Sequence, residues 1–125
     1  MFKTVIDNSP LVTVNSGKFV STYALDGSLM NPLEAFYACL AACAGVFAKK
    51  ACKELGLSPE GISIDCKPFA GAGGPLTLSR YRTEVHFPAH FTAEQKRVII
   101  NSINACAVKE IVKDGPNVEF IVSEM

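Results

Sequence analysis

Between Glu34 and Lys49 the chain runs fourteen residues, Ala35 to Ala48, without a charge. The run is framed as a helix. Asn31 is a capping residue type, Pro32 suits the first helical position, and Glu34 follows the cap by three, as in a capping box. Gly56 supplies the stop, so the spacing predicts one helix from Pro32 to Leu55. Lys49, Lys50 and Lys53 gather toward its end, where the macrodipole favours cations. In the first half Leu33, Phe36, Tyr37, Leu40, Ala44, Val46 and Phe47 make the helix apolar nearly all round, and such a helix has to be covered on most sides. The run falls short of the about twenty residues a bilayer span takes, so a buried core helix is expected, with no membrane partner. A chain of 125 residues has few other elements to cover it. A second subunit is the attractive source of the rest.

The remaining segments read as strands and one more helical stretch. Residues 2 to 24 are rich in β-formers (Phe2, Val5, Ile6, Leu11, Val12, Val14, Phe19, Val20, Tyr23), broken at Asn8-Ser9-Pro10 and by a hairpin-type turn at Asn15-Ser16-Gly17. Asp26-Gly27-Ser28 marks a further turn. Ile62 to Cys66 alternates as a half-buried strand. After the flexible Ala70–Pro75 segment, Leu76 to Phe87 alternates again, with Tyr81, Thr83, Val85 and Phe87 on one face and Arg80, Arg82, Glu84 and His86 on the other. The two strands suggest a long antiparallel hairpin. Thr92 to Gln95 resembles a capping box opening a helix whose apolar stripe (Val98, Ile99, Ile103, Val108, Ile111, Val112) continues to Lys113. The weak helix formers Asn101, Ser102 and Asn104 mark a break and restart near Cys106. Asp114-Gly115-Pro116 ends the helix, and Val118 to Val122 is expected as a final strand. The order gives an α+β fold in a single domain over 1–125, with no βαβ Rossmann pattern.

Twelve basic residues balance twelve acidic ones, and 49% of the chain is apolar. A mean hydropathy of +0.24 is far from disorder. Zero net charge argues against a nucleic-acid binder or a polybasic membrane anchor, and weak self-repulsion suits association. No basic segment followed by an apolar one opens the sequence, so a cytoplasmic protein with reduced thiols is expected.

Few residues carry chemistry. The Gly-rich segment lacks both G-x-G-x-x-G and a P-loop lysine, and reads as a loop. His86 and His90 flank Phe87-Pro88-Ala89, which rules out a helical metal pair; no metal site and no cofactor is expected. The five cysteines, at 39, 43, 52, 66 and 106, contain no Cys-x-x-Cys pair. A free cysteine is often just a small buried hydrophobe, and spacing alone singles out none of them as catalytic.

The segment Asn31-Pro32-Leu33-Glu34-Ala35-Phe36-Tyr37-Ala38-Cys39-Leu40-Ala41-Ala42-Cys43 resembles the central-helix signature of the OsmC/Ohr family, the osmotically inducible and organic-hydroperoxide-resistance proteins. Cys43 falls on that family's reactive cysteine. Asn104-Ala105-Cys106-Ala107-Val108-Lys109 is similar to the segment bearing its second cysteine. The order of elements and the length also agree. The resemblance implies an intertwined homodimer with sheets wrapped around two long central helices. It implies a thiol peroxidase in which a Cys43 thiolate attacks a hydroperoxide, becomes a sulfenic acid and is resolved by Cys106 to a disulfide, which a small lipoyl-type dithiol reduces. Phe36, Leu40 and Phe47 would line the site and suit an alkyl tail.

Cys43 lies about three turns into its helix, too far for the N-terminal dipole to lower its pKa, and apolar neighbours raise it. A cation is therefore required. The peroxidase branch uses an N-terminal arginine held by a glutamate. This chain has no arginine before Arg80, and Lys18 is the nearest match. The peroxidase glutamate falls on Leu33, whereas the acid here is Glu34, rotated by about 100°. Ala107 replaces the proline after the second cysteine. These departures favour the OsmC-like branch. Lys18 and Glu34 are candidate tuners of Cys43, against the simpler readings of a solvated turn residue and a helix cap. The alternative to a peroxidase is a ligand-binding or redox-sensing dimer that keeps the fold without turnover.

Overall fold

Helix α1 (Pro32–Leu55) has the bounds its caps dictate. The Asn31 side chain accepts from the Glu34 amide at 2.8 Å, and the Glu34 carboxylate accepts from the Asn31 amide at 3.1 Å. Two of the otherwise orphaned donors are thus satisfied. At the far end Gly56 takes φ of +68°, its amide bonds the Lys53 carbonyl, and the Leu57 amide reaches back to Cys52 at 2.8 Å. This is the Schellman pattern, in which a left-handed glycine lets the last carbonyls find partners. Over its length α1 is apolar enough to meet the compositional test for a bilayer span, a test that the core helix of a soluble protein meets equally.

The computed structural model describes residues 1–123, an α+β arrangement of antiparallel sheets and helices. The chain forms two compact units, one of Met1–Cys39 with Pro68–Tyr81, the other of Leu40–Lys67 with Arg82 onward. In the first unit β1 (Lys3–Thr4), β2 (Leu11–Ser16) and β3 (Phe19–Ala24) make a three-stranded antiparallel sheet in that order. The hairpin closes at Ser16↔Phe19, one residue later than the Asn15-Ser16-Gly17 cluster suggests. Gly17, at φ of +58°, is the first of the two loop residues. That placement suits a type II′ turn, where only the first central residue needs positive φ. Phe2, Val5 and Ile6 lie outside the strands and are exposed. In the same unit the Tyr81 hydroxyl donates to the Tyr37 carbonyl of α1 at 2.8 Å, and the two rings stack at 6.0 Å.

The second unit holds the core. Ala44, Ala48, Ala51 and Cys52 of α1 face Phe91, Ile99 and Ile103, with Ile62, Ile64, Val85 and Phe87 packed around them. Spacings of three and four place the α1 residues on one stripe. The all-round apolar character of α1 is therefore only partly used: Val46 remains 61% exposed. Strands β4 (Ser63–Phe69) and β5 (Arg80–His86) form the second sheet. Helix α2 (Ala93–Asn104) opens with the reciprocal Thr92/Gln95 capping box, and α3 (Ala107–Asp114) follows after a break at Ala105-Cys106.

Three sequence expectations are corrected. Strand β4 runs three residues beyond Cys66, to Phe69. Leu76 to Ser79 is not strand, because Thr77 curls the segment back: its hydroxyl accepts from the Gly71 amide at 2.9 Å and donates to the Gly74 carbonyl at 2.6 Å. Val118 to Val122 forms no strand. β-forming residues alone cannot make one; a backbone row must find a partner, and this segment pairs with none among the described residues. The stripe of α3 is likewise unburied, with Ile111 60% and Val112 40% exposed.

Candidate functional site

Cys43 sits in the middle of α1, half-buried, one residue before the core stripe begins at Ala44. No residue from Cys39 to Phe47 is charged. Its partner is delivered by α2. Ile99 and Ile103 bury against the alanine stripe of α1, and the Ser102 hydroxyl donates to the Phe47 carbonyl at 3.1 Å, about one turn past Cys43. The chain then breaks: the Ala105 and Cys106 amides close short turns onto Ser102 and Ile103. Cys106 leaves this corner buried, with 3% of its surface exposed. A disulfide joins Cys43 to Cys106 across a Cα separation of 6.2 Å, inside the range the bond allows.

Cys106 is also the N-cap of α3: it has extended ψ of 129°, and its carbonyl accepts from the Glu110 amide at 3.1 Å. The residue therefore stands at the positive end of a helix, although its sulfur makes no cap hydrogen bond there, whereas Cys43 lies mid-helix. Lys109, in the first turn of α3, extends its ammonium back to the Asn104 carbonyl at 3.0 Å. Sequence reasoning did not anticipate this cap or this lysine. The signal was present in the weak helix formers before Cys106, since a helix that restarts must have an N-cap.

The other candidates fall as follows. Glu34 is engaged in capping α1. Lys18 occupies the β2–β3 turn, exposed, with its ammonium 5.3 Å from the centre of the Phe19 ring. Leu40 is buried, Phe47 half-buried with Lys50 over its ring, and Phe36 38% exposed. On α1, Phe36, Leu40, Cys43 and Phe47 follow the i, i+4, i+7, i+11 spacing of one helix side.

Of the remaining cysteines, Cys39 is exposed and Cys66 intermediate, its sulfur 3.6 Å from the Thr83 hydroxyl. Cys52 is buried, and burial pushes its thiol up by disfavouring the thiolate. His86 bonds Asp65 at 3.0 Å on the surface. No cluster of metal-ligating side chains occurs among the described residues.

The family model for OsmC-like proteins matches residues 25–121, and the chain belongs to that family. No curated protein matches the sequence. Solved structures share the fold, among them the following three. An OsmC-like protein from Mycoplasma pneumoniae is 15% identical with a TM-score of 0.73, the match covering 90% of this chain and 86% of that one. A protein from Psychrobacter arcticus 273-4, described as a putative osmotic stress induced and detoxification response protein, is 12% identical with a TM-score of 0.70 over 87% and 85%. An organic hydroperoxide resistance protein OsmC from Legionella pneumophila, also described as a predicted redox protein, is 15% identical with a TM-score of 0.60 over 90% and 89%.

Proposed function

We propose that this protein has a peroxide-related redox role, and that it is a thiol-dependent reductase of organic hydroperoxides. The observation that carries the reading is the Cys43–Cys106 disulfide, joining a cysteine of the central helix to one that caps a second helix. Cys43 as thiolate attacks the terminal peroxide oxygen; the O–O bond breaks and the alkoxide leaves, taking a proton to become an alcohol. The Cys43 sulfenic acid is then attacked by the Cys106 thiolate, which forms the disulfide and expels hydroxide as water. A dithiol returns both cysteines to thiols by exchange. The apolar side of α1 formed by Phe36, Leu40 and Phe47 suits an alkyl group better than it suits hydrogen peroxide itself.

The working form in this reading is a homodimer. Its support is the apolar surface one chain leaves uncovered: Phe120 at 92%, Ile121 at 83%, Val46 at 61% and Ile111 at 60% exposure. Burial of each large side chain would contribute about 1.5–3 kcal/mol. The reading also puts the protein in the cytoplasm.

Steady-state consumption of cumene hydroperoxide with dihydrolipoamide as reductant tests the activity. Turnover in the native chain, lost in Cys43→Ser and in Cys106→Ser, is the expected result. Absence of turnover in the native chain would overturn it. One observation favours a second reading, a redox sensor without turnover: Glu34 is spent on the helix cap and Lys18 on the Phe19 ring. A sensor would form the disulfide stoichiometrically but would not cycle.

A further inference from the structure

The two sulfurs of the disulfide are not equivalent, and the difference sets a direction for its reduction. Resting on the redox reading above, we propose that the reducing dithiol attacks Sγ of Cys43 and that Cys106 departs as the thiolate, stabilised by the N-terminus of α3 and by Lys109.

Two independent observations point the same way. The first is access. Cys43 is half-buried, whereas Cys106 keeps 3% of its surface. An external thiolate must approach a sulfur along the S–S axis, and Cys43 is the more open residue of the pair. The second is charge at the leaving sulfur. Exchange is faster when the departing thiol is the better-stabilised thiolate. Cys106 caps α3, where the macrodipole favours a negative charge and lowers a cysteine pKa against the burial that opposes it. Lys109 stands in the first turn of the same helix. A cation there opposes the dipole, yet its ammonium is held back against the Asn104 carbonyl, two residues before Cys106. It therefore keeps a positive charge at the corner that carries the sulfur.

The other charges on these elements are few. Glu110 also lies in the first turn of α3, but it lines an open depression with Ile111, Asp114, Gly115 and Pro116 toward the far end of the helix. The last turn of α2, Asn101 to Asn104, carries none, and neither does α1 from Cys39 to Phe47. Nothing comparable stabilises a Cys43 thiolate from its own helix.

The step balances without a further reactant. One thiolate of the dithiol bonds to Cys43 as the S–S bond breaks, and the electron pair leaves on Cys106. The second thiol of the reductant then attacks its own bridged sulfur, releasing Cys43 and closing a cyclic disulfide. The two thiol protons of the reductant end on the protein. The dithiol is oxidised and the protein reduced by two electrons.

The test uses the full chain oxidised with diamide, so it does not depend on peroxide chemistry. The disulfide form is mixed with the monothiol 2-mercaptoethanesulfonate and iodoacetamide together, then digested and mapped. The expected product carries the monothiol on Cys43 and the alkyl group on Cys106, in several-fold excess over the reverse adduct. An even split, or the reverse adduct in excess, overturns the proposal. Should reclosure outrun trapping, alkylation of the reduced chain followed peptide by peptide against pH decides. Cys106 is expected to react at a lower pH than Cys43, with its midpoint rising in Lys109→Gln and restored in Lys109→Arg. Coincident midpoints, or a Cys106 midpoint unmoved in Lys109→Gln, overturn it. A chain that passes this test but fails to consume hydroperoxide has lost only the peroxidase reading.

Discussion

The two units of this chain solve the burial problem differently. Among the described residues, every buried side chain except Ala24 belongs to the unit of Leu40–Lys67 and Arg82 onward. There, α1 and α2 close a continuous core and the disulfide crosses between the α1 and α2–α3 segments. The unit containing β1 to β3 has hydrogen-bonded strands but leaves Phe2, Phe19 and Val20 at 79%, 68% and 65% exposure. Apolar side chains left in water make such a sheet a half-finished layer. The comparison teaches that the redox pair sits in the part of the chain that packs by itself, while exposed apolar surface remains on both units.

The sharpest way to break the comparison is at Ile99, which is fully buried in the core cluster. Ile99→Ala should destabilise by about 2–5 kcal/mol through lost burial and the cavity left behind. Urea unfolding checks it; a loss below ~1 kcal/mol would mean the core is not where the difference lies. Next comes Gly56→Ala. A Cβ there meets nothing within 4 Å, so the expected cost, about 1 kcal/mol, is backbone conformation alone. Phe120→Ser probes the apolar surface of the same unit as Ile99 rather than its core. Its side chain is 92% exposed, so the single chain should keep its fold while the proposed dimer weakens, read by light scattering across a dilution series.

The smallest effect belongs to Glu94. Arg97 beside it holds its carboxyl below the ordinary value of 4.5, chiefly by the side-chain hydrogen bond and then by charge. A lowered native pKa contributes stability above the unfolded value, and the contribution fades as pH falls through the native one. The stability gap between the native chain and Glu94→Gln should therefore be small near neutrality and vanish in acid. A gap that grows on acidification would contradict this.

What could be read in the sequence divides along local and non-local lines. The bounds of α1, both capping boxes and the break before Cys106 are set by residues within a turn of one another, and these expectations agree with the structure. Strand existence depends on a partner row, so the β-forming composition of Val118–Val122 and the alternation assigned to Leu76–Ser79 both misled. The pairing of Cys43 with Cys106 came from family resemblance, since nothing in the spacing selects it over Cys39 or Cys66. The N-cap position of Cys106 and the reach of Lys109 were out of view for a related reason: the break was legible, but the residue that begins the next helix was not.

The central claim is that Cys43 and Cys106 act as one redox pair. Its most direct test is to give the reduced protein one equivalent of cumene hydroperoxide for seconds, alkylate, digest and map the thiols. The account predicts a Cys43–Cys106 disulfide that is absent in Cys43→Ser and reversed by a dithiol, with Cys39, Cys52 and Cys66 still carrying free thiols. A Cys43 that remains a free thiol after the peroxide is consumed, or a disulfide that excludes Cys106, would contradict it.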